Sequence, residues 1–85
     1  MDEIIWNKKA LKQIRKIPAK IRKAIIAAVE ALPTADGRRN VKSLTNHQYM
    51  YRLRVGRFRV FFDLEKNEVK IYLIQEVKKR DERTY

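Results

Sequence analysis

Arginine is the residue type in this 85-residue chain best placed to do chemistry. Arg52 and Arg54 alternate with Tyr51, Leu53 and Val55, and Arg59 lies between Phe58 and Val60 in a second alternating run that includes Arg57, Phe61 and Phe62. A period of two puts the aromatic and aliphatic side chains on one face of a strand and the cations on the other. Gly56 permits a tight turn between the two runs, which then pair as a hairpin with their guanidinium groups on a shared face. Arg80 follows a third extended run, Val69 to Val77, that can pair beside them. A guanidinium offers a planar fork of donors matched to phosphate, and like charges crowded on one face cost free energy unless an anion occupies it. The expected chemistry is the binding and electrostatic stabilisation of a phosphate group.

Composition narrows the alternatives. The chain has no Cys and a single His, which excludes disulfides, thiolate metal sites and zinc sites built on several imidazoles. Chemistry is left to Arg, Lys, Tyr and carboxylates, with no metal and no cofactor expected. His47 falls in a predicted turn, Thr45-Asn46-His47, and reads as an exposed loop residue. Twenty-one Lys and Arg against ten Asp and Glu give a net charge of +11, which favours a polyanionic partner, nucleic acid ahead of an acidic protein or an anionic membrane surface. The charge is uneven, with eleven cations and four acids before Arg52, and ten cations and six acids from it onward. From Ile4 to Val29 there is no acid at all, so that helical surface is either a solvated face or one that meets phosphates. No stretch approaches the length of a membrane span, and Met-Asp-Glu-Ile-Ile-Trp is not a basic leader followed by an apolar run, so no membrane partner is expected and the expected compartment is the cytoplasm.

The elements that must position these cations follow from the period of the apolar residues. Ile4, Ile5 and Trp6 read as a short strand that ends at Asn7, a good helix N-cap, and Ala10, Leu11, Ile14 and Ile17 then recur at helical spacing. Ile17-Pro18 breaks that helix. A second helix runs to about Leu32 with the stripe Ile21, Ile25, Ala28, Val29 and Leu32, and Pro33 ends it. Thr34 to Asn40 is a loop, and Val41 to Leu44 flanks a short strand. Tyr49 is expected to extend the inward face of Tyr51, Leu53 and Val55. The run Ile71-Tyr72-Leu73-Ile74, apolar on both faces, belongs in the middle of a sheet. The expected fold is one α+β domain over residues 1–85: an N-terminal strand, then a helical hairpin packed on one face of a mostly antiparallel sheet, leaving the arginine face open.

The stretch Tyr49-Met50-Tyr51-Arg52-Leu53-Arg54-Val55-Gly56-Arg57-Phe58-Arg59-Val60-Phe61-Phe62 resembles the central hairpin of the RelE/ParE superfamily of toxins, in which a Y-R-L-R-V-G-x-x-R-V pattern recurs. Lys79-Arg80 followed by Tyr85 resembles the basic, aromatic-ended terminus of its RNase branch, and the element order matches along nearly the whole chain. The resemblance implies a RelE-like, microbial-RNase-like fold and a metal-independent endoribonuclease that cuts messenger RNA in the ribosomal A site. Each such toxin is held inactive by a cognate antitoxin, here expected to be acidic.

Carried over by position, the resemblance makes Arg59 the group that stabilises charge at the scissile phosphate and Arg80 the group that protonates or stabilises the leaving oxygen. Tyr85 would stack on and orient the nucleotide. Arg52 and Arg54 stand where RelE itself has two lysines, one of them a proposed general base. Guanidinium is a poor proton acceptor near neutrality, so these two, with Arg57 and Lys79, are assigned to binding RNA phosphate. Two rival readings remain: a ParE-type inhibitor of DNA gyrase, and a basic protein that binds RNA without reaction.

Overall fold

The computed structural model describes residues 2–80. The elements are β1 (Asp2–Trp6), α1 (Lys8–Arg15), α2 (Ala19–Glu30), a short 3-10 turn (Asp36–Arg38), β2 (Val41–Ser43), β3 (Tyr51–Val55), β4 (Phe58–Lys66) and β5 (Lys70–Lys79). They form one five-stranded sheet in the order β1-β5-β4-β3-β2. β1 runs parallel to β5 and the other neighbours are antiparallel. This is the expected α+β arrangement, and β5, with apolar residues on both faces, sits inside the sheet.

Local chemistry sets the boundaries. The Asn7 side chain caps α1 by accepting from the Ala10 amide at 2.8 Å. Pro18, which cannot continue a helix, is the N-cap of α2. β3 and β4 join through Gly56 and Arg57, with φ of +57° at Gly56 only, the pattern of a type II′ hairpin loop.

The core lies between the helices and one sheet face. Ala10 and Ile14 of α1 and Ile25 and Val29 of α2 pack with Leu32 against Leu53, Val60, Phe62, Tyr72, Ile74 and Val77. Full burial of Ile25, Leu32 or Ile74 is worth about 1.5–3 kcal/mol each. Two expectations need correction. Ile21, assigned to the buried stripe of the second helix, is 40% exposed, because it lies at the N-terminal end of α2 over the Gly56 turn rather than over the strand interior. Tyr49 precedes β3 and turns the other way: its ring meets His47 and Phe61, on the face opposite the core.

β5 carries one irregularity that matters for the site. Phe61 pairs with Glu76 and Phe62 with Ile74, leaving Gln75 as the extra residue of a β-bulge. Strict alternation from Tyr72 and Ile74 would turn Glu76 and Lys78 towards the helices. The bulge reverses that parity, so Val77 joins the core and Glu76 and Lys78 face outward.

Candidate functional site

The open face of the sheet is built from cross-strand rows. Arg54 pairs with Arg59, and Arg59 with Lys78, giving three cations side by side on β3, β4 and β5. The neighbouring row is Lys42, Arg52, Phe61 and Glu76. On the other side the ladder continues past β5, where the Arg80 amide donates to the Arg57 carbonyl at 2.7 Å and brings Arg80 opposite Arg57. The structure therefore puts Arg52, Arg54 and Arg59 on one face, as their alternation anticipated, and its ladder carries the Arg80 backbone alongside the hairpin end.

Lys42 and Lys78 belong to the same face and were not among the anticipated residues. For Lys42 the signal was present, since it lies between Val41 and Ser43 in a short alternating strand. For Lys78 it was hidden, because reading the face of the last residues of β5 requires knowing where the bulge falls. Lys79 consequently pairs with Phe58 on the helix side. Lys79 and the turn residue Arg57 line a groove with Pro18, Ile21, Val55 and Phe58. Tyr85 lies outside the described residues.

The cations surround one carboxylate. Among the described residues Glu76 is the buried charged side chain, 6% exposed, with Lys9 Nζ at 3.4 Å and Lys78 Nζ at 3.6 Å from its Oε1. The Tyr49 hydroxyl also hydrogen-bonds to it. Burial pushes the Glu76 carboxyl up, but the charges of Lys78 and Lys9 and the hydrogen bonds from Lys9 and Tyr49 outweigh it and hold the carboxyl below its ordinary value. Burial, followed by the neighbouring Glu76 charge, pushes the Tyr49 phenol above its ordinary value. Glu76 thus anchors Lys78 beside Arg59 and offsets part of the repulsion within the cluster. Near it, Arg52 Nε is buried with no hydrogen-bond partner, a cost of about 1–3 kcal/mol that is relieved when the guanidinium turns to an acceptor.

A polar chain holds the loop between β2 and β3 against this face. Asn7 Nδ2 donates to Gln75 Oε1 at 2.6 Å, Gln75 Nε2 donates to Asp63 Oδ2 at 3.1 Å, and Asp63 Oδ1 accepts from the Met50 amide at 2.8 Å. The bulge residue therefore ties α1, β4 and the loop that carries His47 and Tyr49. Arg54, Arg59 and Lys78 form a cationic row spanning three strands, with the Arg80 backbone in the next ladder position, a geometry suited to a phosphodiester backbone.

The sequence profile of a family described as "ParE toxin of type II toxin-antitoxin system, parDE" matches residues 4–83. Among solved structures, the toxin–antitoxin complex RelBE2 of Mycobacterium tuberculosis superposes with a TM-score of 0.75 at 18% identity, over 93% of this chain and 98% of that one. The archaeal RelE–RelB complex of Pyrococcus horikoshii gives 0.75 at 21% identity, over 95% and 97%. The intact RelBE complex of E. coli gives 0.71 at 19% identity, over 95% and 99%. At these identities the likeness is one of fold. No curated protein sequence matches the chain significantly.

Proposed function

The chain belongs to the ParE toxin family of type II toxin–antitoxin systems, within the RelE/ParE superfamily, and from that premise we propose that it is a metal-independent endoribonuclease that cuts messenger RNA in the ribosomal A site and arrests translation. The observation that carries this reading is the row Arg54, Arg59 and Lys78, in direct register on three strands, with Arg80 beside it.

In the proposed reaction the 2′-hydroxyl oxygen attacks its own 3′-phosphorus, the bond from phosphorus to the 5′-oxygen breaks, and a 2′,3′-cyclic phosphate and a 5′-hydroxyl end result. Arg59 stabilises the charge that develops on the phosphoryl oxygens, with Arg52 and Arg54 holding the flanking backbone. Arg80 stabilises the departing 5′-oxygen as it takes up a proton. Guanidinium does not accept the proton of the 2′-hydroxyl, which passes to solvent. Catalysis by preorganised charge with little acid–base help depends on alignment, and the ribosome supplies it by holding the codon with the 2′-oxygen in line. Tyr85 would add stacking on the nucleotide.

The family implies an antitoxin, and the groove beneath Ile21 supports its placement. Apolar Pro18, Ile21, Val55 and Phe58 line it together with the cations Lys20, Arg57 and Lys79. An amphipathic segment with acidic flanks matches that combination in both polarity and charge.

The description of the matching family favours one other reading, a ParE-type inhibitor of DNA gyrase. The test is paired. Purified protein is incubated with programmed ribosomes carrying an empty A site, and separately with gyrase and relaxed plasmid. Cleavage of the messenger that disappears with Arg59→Ala supports the nuclease; intact messenger with inhibited supercoiling sinks it in favour of gyrase. Salt-sensitive RNA binding without either effect would point to the non-catalytic alternative.

A further inference from the structure

Beside the phosphate row the open face carries an aromatic cluster that no residue role assigned so far uses. His47 and Phe61 stack with ring centroids 5.2 Å apart and planes 13° from parallel. Tyr49 flanks both, at 5.9 Å from His47 and 5.7 Å from Phe61. Phe61 is only 8% exposed, whereas His47 above it is exposed. One face of the imidazole is thus covered by Phe61 and the other is presented to solvent. The ring is held in place, since His47 Nδ1 accepts from the Tyr49 amide at 3.1 Å and the next amide, of Met50, is held by Asp63.

An exposed flat ring backed by a buried one is a stacking platform, and its neighbours on the sheet say what it stacks on. Phe61 lies in register between Arg52 and Glu76, and the cation row Arg54, Arg59 and Lys78 is the next outward-facing row. Rows two residues apart along a strand are separated by about 6.6 Å. A nucleotide whose phosphate rests on the cation row has its base within reach of the ring cluster. We infer that His47, supported by Phe61 and Tyr49, is a nucleobase-stacking platform for single-stranded RNA lying on the arginine face, a contact that rests on RNA being the substrate. Stacking on a ring face is tolerant of base identity, so the platform orients a base rather than selecting a codon letter.

The experiment uses a short single-stranded RNA carrying the fluorescent base 2-aminopurine, with 2′-methoxy in place of every 2′-hydroxyl so that it cannot be cut. Stacking quenches 2-aminopurine. The wild-type chain is expected to bind and quench it. His47→Ala should weaken binding by about 5- to 150-fold, the range for losing one base stack, and abolish the quench at saturation, while leaving the salt slope unchanged. His47→Phe should restore both affinity and quench. Arg54→Ala should do the converse, lowering the salt slope by about one phosphate contact and leaving the quench intact at saturation. Wild-type binding without quench, or equal affinity and quench for His47→Ala, overturns the platform and leaves the nuclease reading standing. Failure of the wild type to bind the RNA at all likewise overturns the platform, whereas the nuclease reading falls only if messenger on programmed ribosomes stays intact.

Discussion

Arg54 and Arg59 face each other in direct register across the β3–β4 hairpin. Like charges directly opposite on a sheet destabilise it by a few tenths of a kcal/mol up to about 1 kcal/mol. The hairpin turn cannot relax this, because Gly56 and Arg57 fix the register. The pairing costs stability in the free protein, a cost that a phosphate bridging the two guanidinium groups would relieve. Arg54→Thr should therefore raise the unfolding midpoint of the free protein while reducing activity. A lowered midpoint would mean that the pair is already neutralised within the fold.

Arg59→Ala should leave the fold intact and reduce messenger cleavage by about 10²- to 10³-fold, the loss seen when one preorganised electrostatic donor is removed. Circular dichroism and cleavage on programmed ribosomes check the two halves of this prediction. Unimpaired cleavage would remove Arg59 from the reaction.

Glu76 makes stability depend on pH with a definite sign. Its carboxyl lies below its ordinary value in the fold, because Lys78, Lys9 and Tyr49 favour the ionised form more than burial disfavours it. A group whose folded pKa is depressed contributes stability above the unfolded value and loses it as pH falls through the folded value. Glu76→Gln should be less stable than wild type at neutral pH, with the gap closing below about pH 4. Urea midpoints across a pH series test this, and a gap constant with pH would contradict it.

Two glycines should respond to alanine for different reasons. At Gly37 an added Cβ would sit 1.8 Å from the Ala31 carbonyl oxygen, so the 3-10 turn must move away from the end of α2. At Gly56 an added Cβ meets nothing within 4 Å, and the penalty comes only from φ of +57°. Gly56→Ala should cost about 1–2 kcal/mol and Gly37→Ala at least as much, about 1–3 kcal/mol or more, since the obstacle is backbone. Equal tolerance at both sites in denaturant titrations would show that the turn yields freely.

Ile21 is a hydrophobic side chain left 40% exposed over the groove that Phe58 and Lys79 share. Ile21→Glu removes apolar surface and adds a charge that repels an acidic segment. It should weaken capture by the cognate antitoxin by about tenfold or more without altering messenger cleavage by the free toxin. Unchanged capture would move the antitoxin contact elsewhere.

Much of this molecule is legible in one dimension. Asn7 caps a helix, Pro18 separates two, Gly56 turns a hairpin, and the alternation around Leu53 and Val60 settles which side of β3 and β4 faces the helices. These are local effects, in which a residue's own backbone preference or the period of its neighbours decides the outcome, and they suffice to bring Arg52, Arg54 and Arg59 onto one open face. The last residues of β5 are different. Whether Lys78 or Lys79 joins that face depends on the Gln75 bulge, whose side chain is held by Asn7, distant in sequence, and by Asp63. Likewise nothing local to Tyr49 turns it away from the core; its ring follows Glu76, Phe61 and His47, and its loop is held through Asp63. The sequence by itself determined an outward row of arginines. Tertiary contacts decided that Lys78 completes the row, that Lys79 leaves it for the groove, and that an aromatic cluster stands next to it.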